Sequence, residues 1–430
     1  MHQKMKKNIL FLSLSLLFAG ISYAQKTIII NGGQFGNPLE NVNVSIYDTQ
    51  TKTSTVIDTI HTSSVQDILI DGDFAYVTAQ DSIVKYNLST QTRVAANAFN
   101  GVSTKTLVLS NNNELIVGNW YGKTSDNIYF YDQTSLALVD SISAVQEGAK
   151  SIYTNGAVAF VTQNEQTLAF EDTSGYILSI RSAFRAIVDT LRIPNYTGDI
   201  GEIIPFSNGM GFYTINSVSN TIATFNFGPS SPFTPTSVSL LNSTEDLKVG
   251  NRSQYSIYED TIFMKMNSGI GAYTLSNLTL IDPLIVDTVV TAFAYDTLNF
   301  QFYVTQTDFF SYSKGQSFNR NGNSQDIIPV GFSPEVVRMY YDNAVGLSES
   351  ESDKGKVAIY PNPSSGLFKV TGVNLKNAVV SIFDQQGKLV NQSTSDTNTL
   401  RINLIGMEKG IYFIQIIKEG QVFTDKIILQ

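Results

Sequence analysis

The chain has 430 residues, no cysteine and a formal net charge of −9. Its length accommodates one large domain and a smaller one, and the lack of cysteine excludes disulfides, thiolate metal sites and a lipid anchor on an N-terminal cysteine. The acidic balance argues against nucleic acid and anionic membranes as partners, because both are bound through clustered positive charge.

The N-terminus has the three-part layout of a signal peptide. A lysine-rich start at residues 4–7 precedes an apolar run over 9–21, and Ala24 ends a small-residue cleavage site. The run is shorter than the roughly 20 apolar residues of a transmembrane helix. The sequence predicts a signal peptide over 1–24, and its removal leaves no transmembrane segment. This segment carries three lysines and no acidic residue, so the mature charge is −12.

A hairpin of two apolar strands around a polar turn recurs along the next 300 or so residues, and such a recurrence is the first sign of a repeat fold. Gly, Asn and Asp occupy the turns because tight hairpins need positive φ at little cost. The turns lie at 71–73, 110–113, 154–156, 207–209, 259–260 and 295–297.

Each hairpin is followed by a third strand that closes on an aromatic and a polar residue. Asp48 to Asn87 is 39 residues and Asn87 to Asp132 is 45, a spacing typical of four-stranded propeller blades. The closing pairs are Tyr47-Asp48, Tyr86-Asn87, Tyr131-Asp132, Phe225-Asn226, Tyr273-Thr274 and Tyr312-Ser313.

The two ends of the repeat region complement each other. The segment 27–61 lacks an innermost strand, while 336–340 is a lone apolar strand with no hairpin after it. A blade assembled from both ends would close the ring and remove its open edges. The sequence therefore predicts an all-β, seven-bladed β-propeller with terminal-strand closure over 27–343.

Three tripeptides, Tyr76-Val77-Thr78, Phe160-Val161-Thr162 and Tyr303-Val304-Thr305, resemble the repeat of secreted YVTN-type propellers. The step between blades at 328–335 is also similar. The opening at 31–36 resembles surface propellers common in Bacteroidetes, one branch of which captures cobalamin. The resemblance implies a fold more specifically than a ligand.

Residues 344–356 are polar and charged without periodicity, which is typical of a linker. Beyond them, short apolar alternations separated by turns predict a small antiparallel, Ig-like β-sandwich over 357–430. The predicted strands lie at 357–360, 367–371, 378–384, 388–392, 399–404, 410–417 and 421–429.

The C-terminal module resembles the type A sorting domains of the type IX secretion system. The resemblance implies the type IX machinery as a partner, passage across the outer membrane, and then release or attachment to the cell surface. Independently, prolines on both sides of Asn362 should end the first strand. The matching residues are Tyr360, Pro361, Asn362, Pro363, Gly366, Asp384, Gly387, Lys388, Gly410, Tyr412 and Lys426.

Little in the sequence indicates catalysis. His61 is the only imidazole after the signal peptide, and no local partners suggest a triad around it. Most carboxylates fall at turns, where Asp bonds its own backbone, and no EF-hand spacing occurs. We therefore predict no catalytic residue and no metal site, identify no cofactor, and expect a binding protein more than an enzyme.

The predicted connections between second and third strands combine amides with aromatics. In a propeller they open on the channel face, where they would suit a neutral polar ligand such as a sugar or a cofactor. The alternative is that the amides only line the channel and that the chain's sole Trp packs between blades. The candidate residues are Gln34, Phe35, Asn119, Trp120, Tyr121, Gln163, Asn164, Asn216 and Gln306.

Three functions remain open from the sequence. The leading one is a secreted or surface-attached propeller that binds a small molecule, a glycan or a protein. The second is a hydrolase or lyase that uses turn carboxylates or a bound cation on the channel face, and the third is a surface adhesin. Binding without turnover, cation-dependent turnover and loss of adhesion on deletion would distinguish them.

Overall fold

The computed structural model contains two compact units, Met1–Ala344 and Val345–Gln430. No helix among the described residues is long and apolar enough to span a membrane. The structure describes residues 24–34, 37, 40–98, 104–119, 127–142, 148–155, 158–166, 172–206, 211–228, 231–342, 358–360, 362, 364, 366–371, 375–384, 388–395, 397, 399–418 and 421–430.

The described part of the first unit consists of seven four-stranded antiparallel sheets. The described residues begin with β1 (Ala24–Asn31), β2 (Val42–Asp48) and β3 (Thr53–Ile60). Sheet 1 contains β4 (Asp67–Asp71), β5 (Phe74–Ala79), β6 (Ser82–Asn87) and β7 (Thr92–Ala98). Sheet 2 contains β8 (Thr104–Leu109), β9 (Glu114–Asn119), β10 (Ile128–Asp132) and β11 (Leu138–Ile142). Sheet 3 contains β12 (Gly148–Thr154), β13 (Val158–Gln166), β14 (Asp172–Arg181) and β15 (Ala186–Leu191), with a 3-10 turn at Ser182–Phe184.

The remaining sheets repeat this order. Sheet 4 contains β16 (Glu202–Pro205), β17 (Gly211–Asn216), β18 (Thr221–Gly228) and β19 (Ser231–Asn242). A 3-10 turn at Arg252–Gln254, called the 252–254 turn below, leads into sheet 5, which contains β20 (Tyr255–Tyr258), β21 (Thr261–Lys265), β22 (Gly269–Thr274) and β23 (Leu280–Asp287). Sheet 6 contains β24 (Ala292–Asp296), β25 (Gln301–Thr307), β26 (Ser313–Asn319) and β27 (Ser324–Ile328), and β28 (Pro334–Asp342) follows it.

The last strand of the unit joins the first three in one sheet, called the closing sheet, with the order β28-β1-β2-β3. Ile29 lies opposite Val337 in the antiparallel register, and the pairing extends from Ala24 opposite Asp342 to Asn31. The predicted pairing between the two ends of the repeat region, 27–61 and 336–340, is thereby confirmed. The strand β1 begins at the last residue of the predicted signal peptide.

Apolar cores lie between the sheets. Ile28 and Val84 belong to a core shared by the closing sheet and sheet 1, and Ile29 and Tyr303 belong to one shared by sheet 6 and the closing sheet. Further cores join sheets 1 through 6 in order. Burial of one side chain of this size stabilises the folded state by about 1.5 to 3 kcal/mol. Each sheet packs against both of its neighbours, and the sheets follow one another in a circle.

The described turns lie at the predicted positions, except that the turn predicted at 295–297 begins only after Asp296, the last residue of β24. The turn predicted at 207–209 lies outside the described residues, as does residue 156 of the turn predicted at 154–156. Asp132 accepts the backbone N–H groups of Thr134 and Ser135. The prediction that Tyr312-Ser313 closes the third strand of sheet 6 is wrong, because Tyr312 precedes β26 and Phe318, paired with Phe302, takes the closing position. Tyr312 belongs to the turn before β26, where its backbone N–H donates to the Asp308 carboxylate.

The second unit contains two antiparallel sheets around one core. Val370 and Ile402 of the three-stranded sheet pack with Ile382 and Ile414 of the four-stranded sheet. All seven predicted strands are confirmed, as β29 (Ala358–Tyr360), β30 (Leu367–Thr371), β31 (Val379–Phe383), β32 (Leu389–Thr394), β33 (Thr399–Asn403), β34 (Gly410–Lys418) and β35 (Gln421–Leu429).

Candidate functional site

The predicted candidates that the structure describes lie at one end of the sheets. Because antiparallel strands alternate in direction, the second strand of each sheet ends where the first begins. We call this the entry end, since the first strand of every sheet enters there. Gln34, Asn119 and Asn216 end or follow second strands, whereas Gln163 and Gln306 lie within them. Phe35, Trp120 and Tyr121 lie outside the described residues.

Two of the candidates, Asn164 and Asn216, bond backbone groups. The Asn164 amide donates to the carbonyl of Ile200 at 2.7 Å and accepts its N–H at 2.8 Å. Asn216 accepts the N–H of Gly201 at 2.9 Å and donates to Thr221. Both side chains are buried. They hold the connection into β16 and take no part in the site proposed below.

The other described candidates are mixed. Gln306 donates to the Thr288 hydroxyl at 2.6 Å and accepts from Tyr312 at 2.8 Å. Gln34 accepts from Asn37 at 3.0 Å. The Gln163 amide is buried and has no hydrogen-bond partner among the residues that the structure describes. An unpaired buried amide is costly.

Asn119, the last residue of β9, has a buried side chain. Its backbone N–H donates to the Asn127 carbonyl at 3.0 Å, which ties β9 to the start of β10. The structure places the side chain inside the protein at the entry end, so its part in ligand binding remains a prediction.

The 252–254 turn lies against the first strands of the sheets. Its contacts include β4, β24 and β28. The Arg252 guanidinium donates to the carbonyls of Leu107 at 2.6 Å and Ile152 at 3.0 Å, and Ser253 bonds both backbone groups of Val337. Residues from sheets 2 and 3 and from the closing sheet therefore meet on this one turn.

Acidic groups face Arg252. Its Nε lies 3.7 Å from Oδ2 of Asp67, which also accepts from Thr106 at 3.0 Å. Glu202 is only 2% exposed, and burial raises its pKa to about 7 although Arg252 and Arg338 pull it down. Burial disfavours the charge of Arg252, but Asp67 and Glu202 outweigh it and raise the Arg252 pKa. The cluster is a buried ionic network that sequence reasoning missed.

A pocket of about 170 Å3 lies at the entry end beside this network. Two of its lining residues, Gln66 and Asn251, directly precede Asp67 and Arg252 in the chain. The lining residues are Ser64, Val65, Gln66, Lys105, Asn251, Glu335 and Val336. None of the predicted candidates that the structure describes is among them.

Glu335 is the acidic group of the pocket. Its Oε1 accepts from the Ser333 hydroxyl at 2.7 Å. Burial raises its pKa to about 7, while the Ser333 hydroxyl and the charge of Lys105 act in the opposite direction. A Cβ on Gly32 would overlap this oxygen, so a larger residue there would displace the Glu335 carboxyl. The pocket thus combines a carboxyl near its titration point, an ammonium and amides.

The missed residues lie in connections from the fourth strand of one sheet to the first strand of the next, or at the start of first strands. These segments lie at the entry end, as the connections between second and third strands also do. Glu335 stands in the step between blades at 328–335. That step was therefore a usable signal, while Arg252 had no local one.

In the second unit the structure joins the first sorting motif to the last strand. The Asn362 amide donates to the Lys426 carbonyl at 2.7 Å and accepts the Ile428 N–H at 2.8 Å. Ser364 accepts from Gln430 and donates to Ile428. The first strand ends at Tyr360 as predicted, and the segment after it pairs with β35.

The other motif residues shape turns. Asp384 accepts the Lys388 N–H at 2.9 Å, and Gly366 has a φ of +124° with Ile405 within 2.9 Å of a Cβ. The Tyr412 hydroxyl donates to the Glu408 carbonyl at 2.7 Å. Gly410 begins β34, while Pro361, Pro363 and Gly387 lie outside the described residues.

Solved structures share the fold at low identity. The periplasmic gluconolactonase of Pseudomonas aeruginosa is 13% identical, with 73% of this chain and 99% of that chain covered and a TM-score of 0.53. A putative 6-phosphogluconolactonase of Bacteroides fragilis is 10% identical, with 74% and 98% covered and a TM-score of 0.51. With the repeated four-stranded sheets, these matches support a β-propeller-like fold.

A third structure is PorZ, a surface component of the type IX secretion system of Porphyromonas gingivalis. It is 14% identical with a TM-score of 0.47, and 90% of this chain and 63% of PorZ are covered, so the match spans under two thirds of PorZ. No curated protein matches this sequence.

The C-terminal unit is matched by a family model. Residues 358–430 match the secretion system C-terminal sorting domain. The match covers the described strands β29 to β35 and the motif contacts above. This C-terminal sorting domain indicates export by type IX secretion to the cell surface or the extracellular space.

Proposed function

We propose that this protein is a secreted or cell-surface binding protein. A signal peptide over 1–24 precedes a seven-bladed β-propeller over 27–343 closed by its terminal strands, and a linker over 344–356 leads to an Ig-like sorting module over 357–430. The propeller captures a small polar ligand at its entry end. The observation that carries the proposal is the pocket of about 170 Å3 between Glu335 and Lys105.

The chemistry of the pocket supports a polar ligand. With a pKa of about 7, Glu335 can donate or accept a hydrogen bond near neutral pH. Lys105 supplies a donor, and Gln66 and Asn251 supply amides. A few polar groups that converge in a concave site provide specificity. The pocket volume suits a molecule the size of a monosaccharide or an amino acid.

The buried network around Arg252 supports the proposal of binding at the entry end. Arg252 bonds the carbonyls of Leu107 and Ile152 on the first strands of two sheets, and it faces Asp67 on a third. Removing one partner of such a network is costly. A ligand would therefore rest beside the network and leave it intact.

One observation favours a second candidate, a hydrolase. Glu202 has a pKa of about 7 and is influenced by two arginines, and a carboxyl tuned towards neutrality suits general acid or base catalysis. Against this candidate, its side chain is only 2% exposed. Turnover of chromogenic glycosides, esters or lactones that is lost in Glu202→Gln would favour the hydrolase.

A thermal-shift screen tests the binding proposal. The chain without residues 1–24 is screened against monosaccharides, amino acids, cobalamin and divalent cations. We expect at least one compound to raise the Tm by several degrees, and the shift to fall by more than half in Glu335→Gln and in Lys105→Met.

The matched control is Glu259→Gln, an exposed acid in the turn between β20 and β21 at the opposite end. It should keep the full shift. A screen without a shift, or pocket variants that respond like the wild type, would refute the pocket as the ligand site.

A further inference from the structure

The connection between β25 and β26 is a compact turn held by one carboxylate. Asp308 accepts the backbone N–H groups of Phe310 at 3.0 Å, Ser311 at 2.8 Å and Tyr312 at 2.8 Å. It also accepts from the Ser311 hydroxyl. These bonds lower the Asp308 pKa, so the carboxylate stays ionised. The turn is fixed before any ligand arrives, which reduces the entropy lost on binding.

The fixed turn displays aromatic rings to solvent. Phe310 is 76% exposed, Phe309 50% and Tyr312 48%. Phe309 has a φ of +66°, a conformation that is unfavourable for a bulky side chain. Strain of this kind often marks a functional position, and exposed aromatic surface is itself unfavourable. The 308–312 turn therefore carries both the backbone strain at Phe309 and the exposed aromatic surface.

Polar groups adjoin the rings. The Tyr312 hydroxyl donates to Gln306, whose amide donates to Thr288. Lys314 lies directly opposite Gln306 in the register of β25 and β26, so their side chains share one face of sheet 6. The surface therefore places apolar ring faces beside a hydroxyl, an amide and an ammonium.

We propose that the 308–312 turn is a glycan-binding platform. The C–H face of a pyranose ring stacks on Phe310 and Phe309, and its hydroxyls bond Tyr312 and Lys314. Aromatic rings beside hydrogen-bonding groups match the two sides of a sugar, one apolar and one polar. No residue of the 308–312 turn lines the Glu335 pocket.

Size and charge favour a glycan over other occupants. Three rings cover less than the roughly 800 Å2 per partner of a stable protein interface. Docking on an anionic membrane needs clustered cations, whereas this turn is built on Asp308 and the chain carries a net charge of −9. A neutral oligosaccharide needs neither a large interface nor clustered cations.

Calorimetric titration tests the platform. The chain without residues 1–24 is titrated with cellohexaose, xylohexaose, mannohexaose and chitohexaose. We expect at least one to bind and Phe310→Ala to weaken that binding at least tenfold. The matched control is Phe184→Ala, a 69% exposed phenylalanine between the third and fourth strands of sheet 3, which should bind within twofold of the wild type.

Two further variants separate recognition from a structural role. Phe309→Gly removes a ring and relieves the positive φ, so binding should weaken while the Tm stays equal or rises. Asp308→Ala should weaken binding severalfold, and Asp308→Asn, which keeps an acceptor, should restore most of it. If none of the four oligosaccharides binds, or if Phe310→Ala binds like the wild type, the platform is refuted.

Discussion

The two units treat their apolar surface differently. In the first unit, seven cores lie between successive sheets in a circle. Some of its exposed apolar residues, such as Val56 and Leu138, stand on the outermost strands of separate sheets, and others, such as Phe184 and Phe310, lie in connections between strands. In the second unit one core serves two sheets, and exposed Leu389 and Phe413 flank Phe383 on adjacent strands.

The difference is consistent with the binding function proposed for the first unit and with the sorting domain of the second. A ring that satisfies its own sheets needs no partner to stay folded, so its specificity can reside in the connections at the entry end. A contiguous apolar row on an outer sheet face is a surface for contact. We expect the first unit to tolerate loss of the second, and export not to.

Deleting residues 358–430 should give the largest effect. In a bacterium with a type IX system, the truncated protein should remain inside the outer membrane, since the sorting domain is the export signal. Fractionation and immunoblotting would show it. Purified truncated protein should keep the Tm of the first unit. Truncated protein at the cell surface or in the medium would contradict the assignment.

Replacing Arg252 by Ala should destabilise the first unit by about 3 to 5 kcal/mol, because Asp67 and Glu202 would lose a buried counter-charge. Urea denaturation measures the change, and the transition of the second unit serves as the internal reference. Lys52→Ala breaks an ion pair with Asp326 whose side chains are 57% and 37% exposed, and it should cost under about 1 kcal/mol. Equal losses would show that the network contributes no more than a surface pair.

Replacing Asn362 by Ala should destabilise only the second unit, by about 2 kcal/mol, since two hydrogen bonds to β35 are lost. Asn362→Asp keeps the acceptor for Ile428 but loses the donor to Lys426, and about half the loss is expected. Calorimetry resolves the two transitions. A shift in the transition of the first unit instead would contradict the separation of the units.

Most strands were predictable because their signals are local. Alternating apolar residues and turn-forming Asp or Gly mark the hairpin around Gly72, whose φ is +54°. The end pairing followed from counting strands, since 27–61 lacked an inner one. The position of Tyr312 was predicted wrongly because Tyr312-Ser313 has the same aromatic-polar pattern as the strand ends of the other sheets. The Asp308 hydrogen bonds that place Tyr312 before β26 involve several residues at once.

The site was less predictable because its groups meet over long distances. Asn164 and Gln306 both stand near the ends of second strands, yet Asn164 bonds the backbone of Ile200 and Gln306 bonds the hydroxyls of Thr288 and Tyr312. No local pattern links Arg252 to Asp67. The pocket combines first-strand starts from several sheets, and only the closed fold brings Lys105 and Glu335 together.

The smallest expected effect is a pH dependence confined to the first unit. The Glu335 pKa is raised from 4.5 to about 7, so between these values the folded state binds more protons than the unfolded state. Stability must then fall as pH rises through this window. The full shift sets a limit of about 3 kcal/mol, and relaxation around the charge brings the expected loss nearer 1 kcal/mol.

Glu335→Gln removes the titrating group and keeps an acceptor for Ser333. Urea denaturation at pH 5 and pH 8 should show equal stability of variant and wild type at pH 5. At pH 8 the variant should be more stable by about 1 kcal/mol. The exposed Glu259→Gln should leave the pH dependence unchanged. A Glu335→Gln variant with the same pH dependence as the wild type would contradict the raised pKa of Glu335.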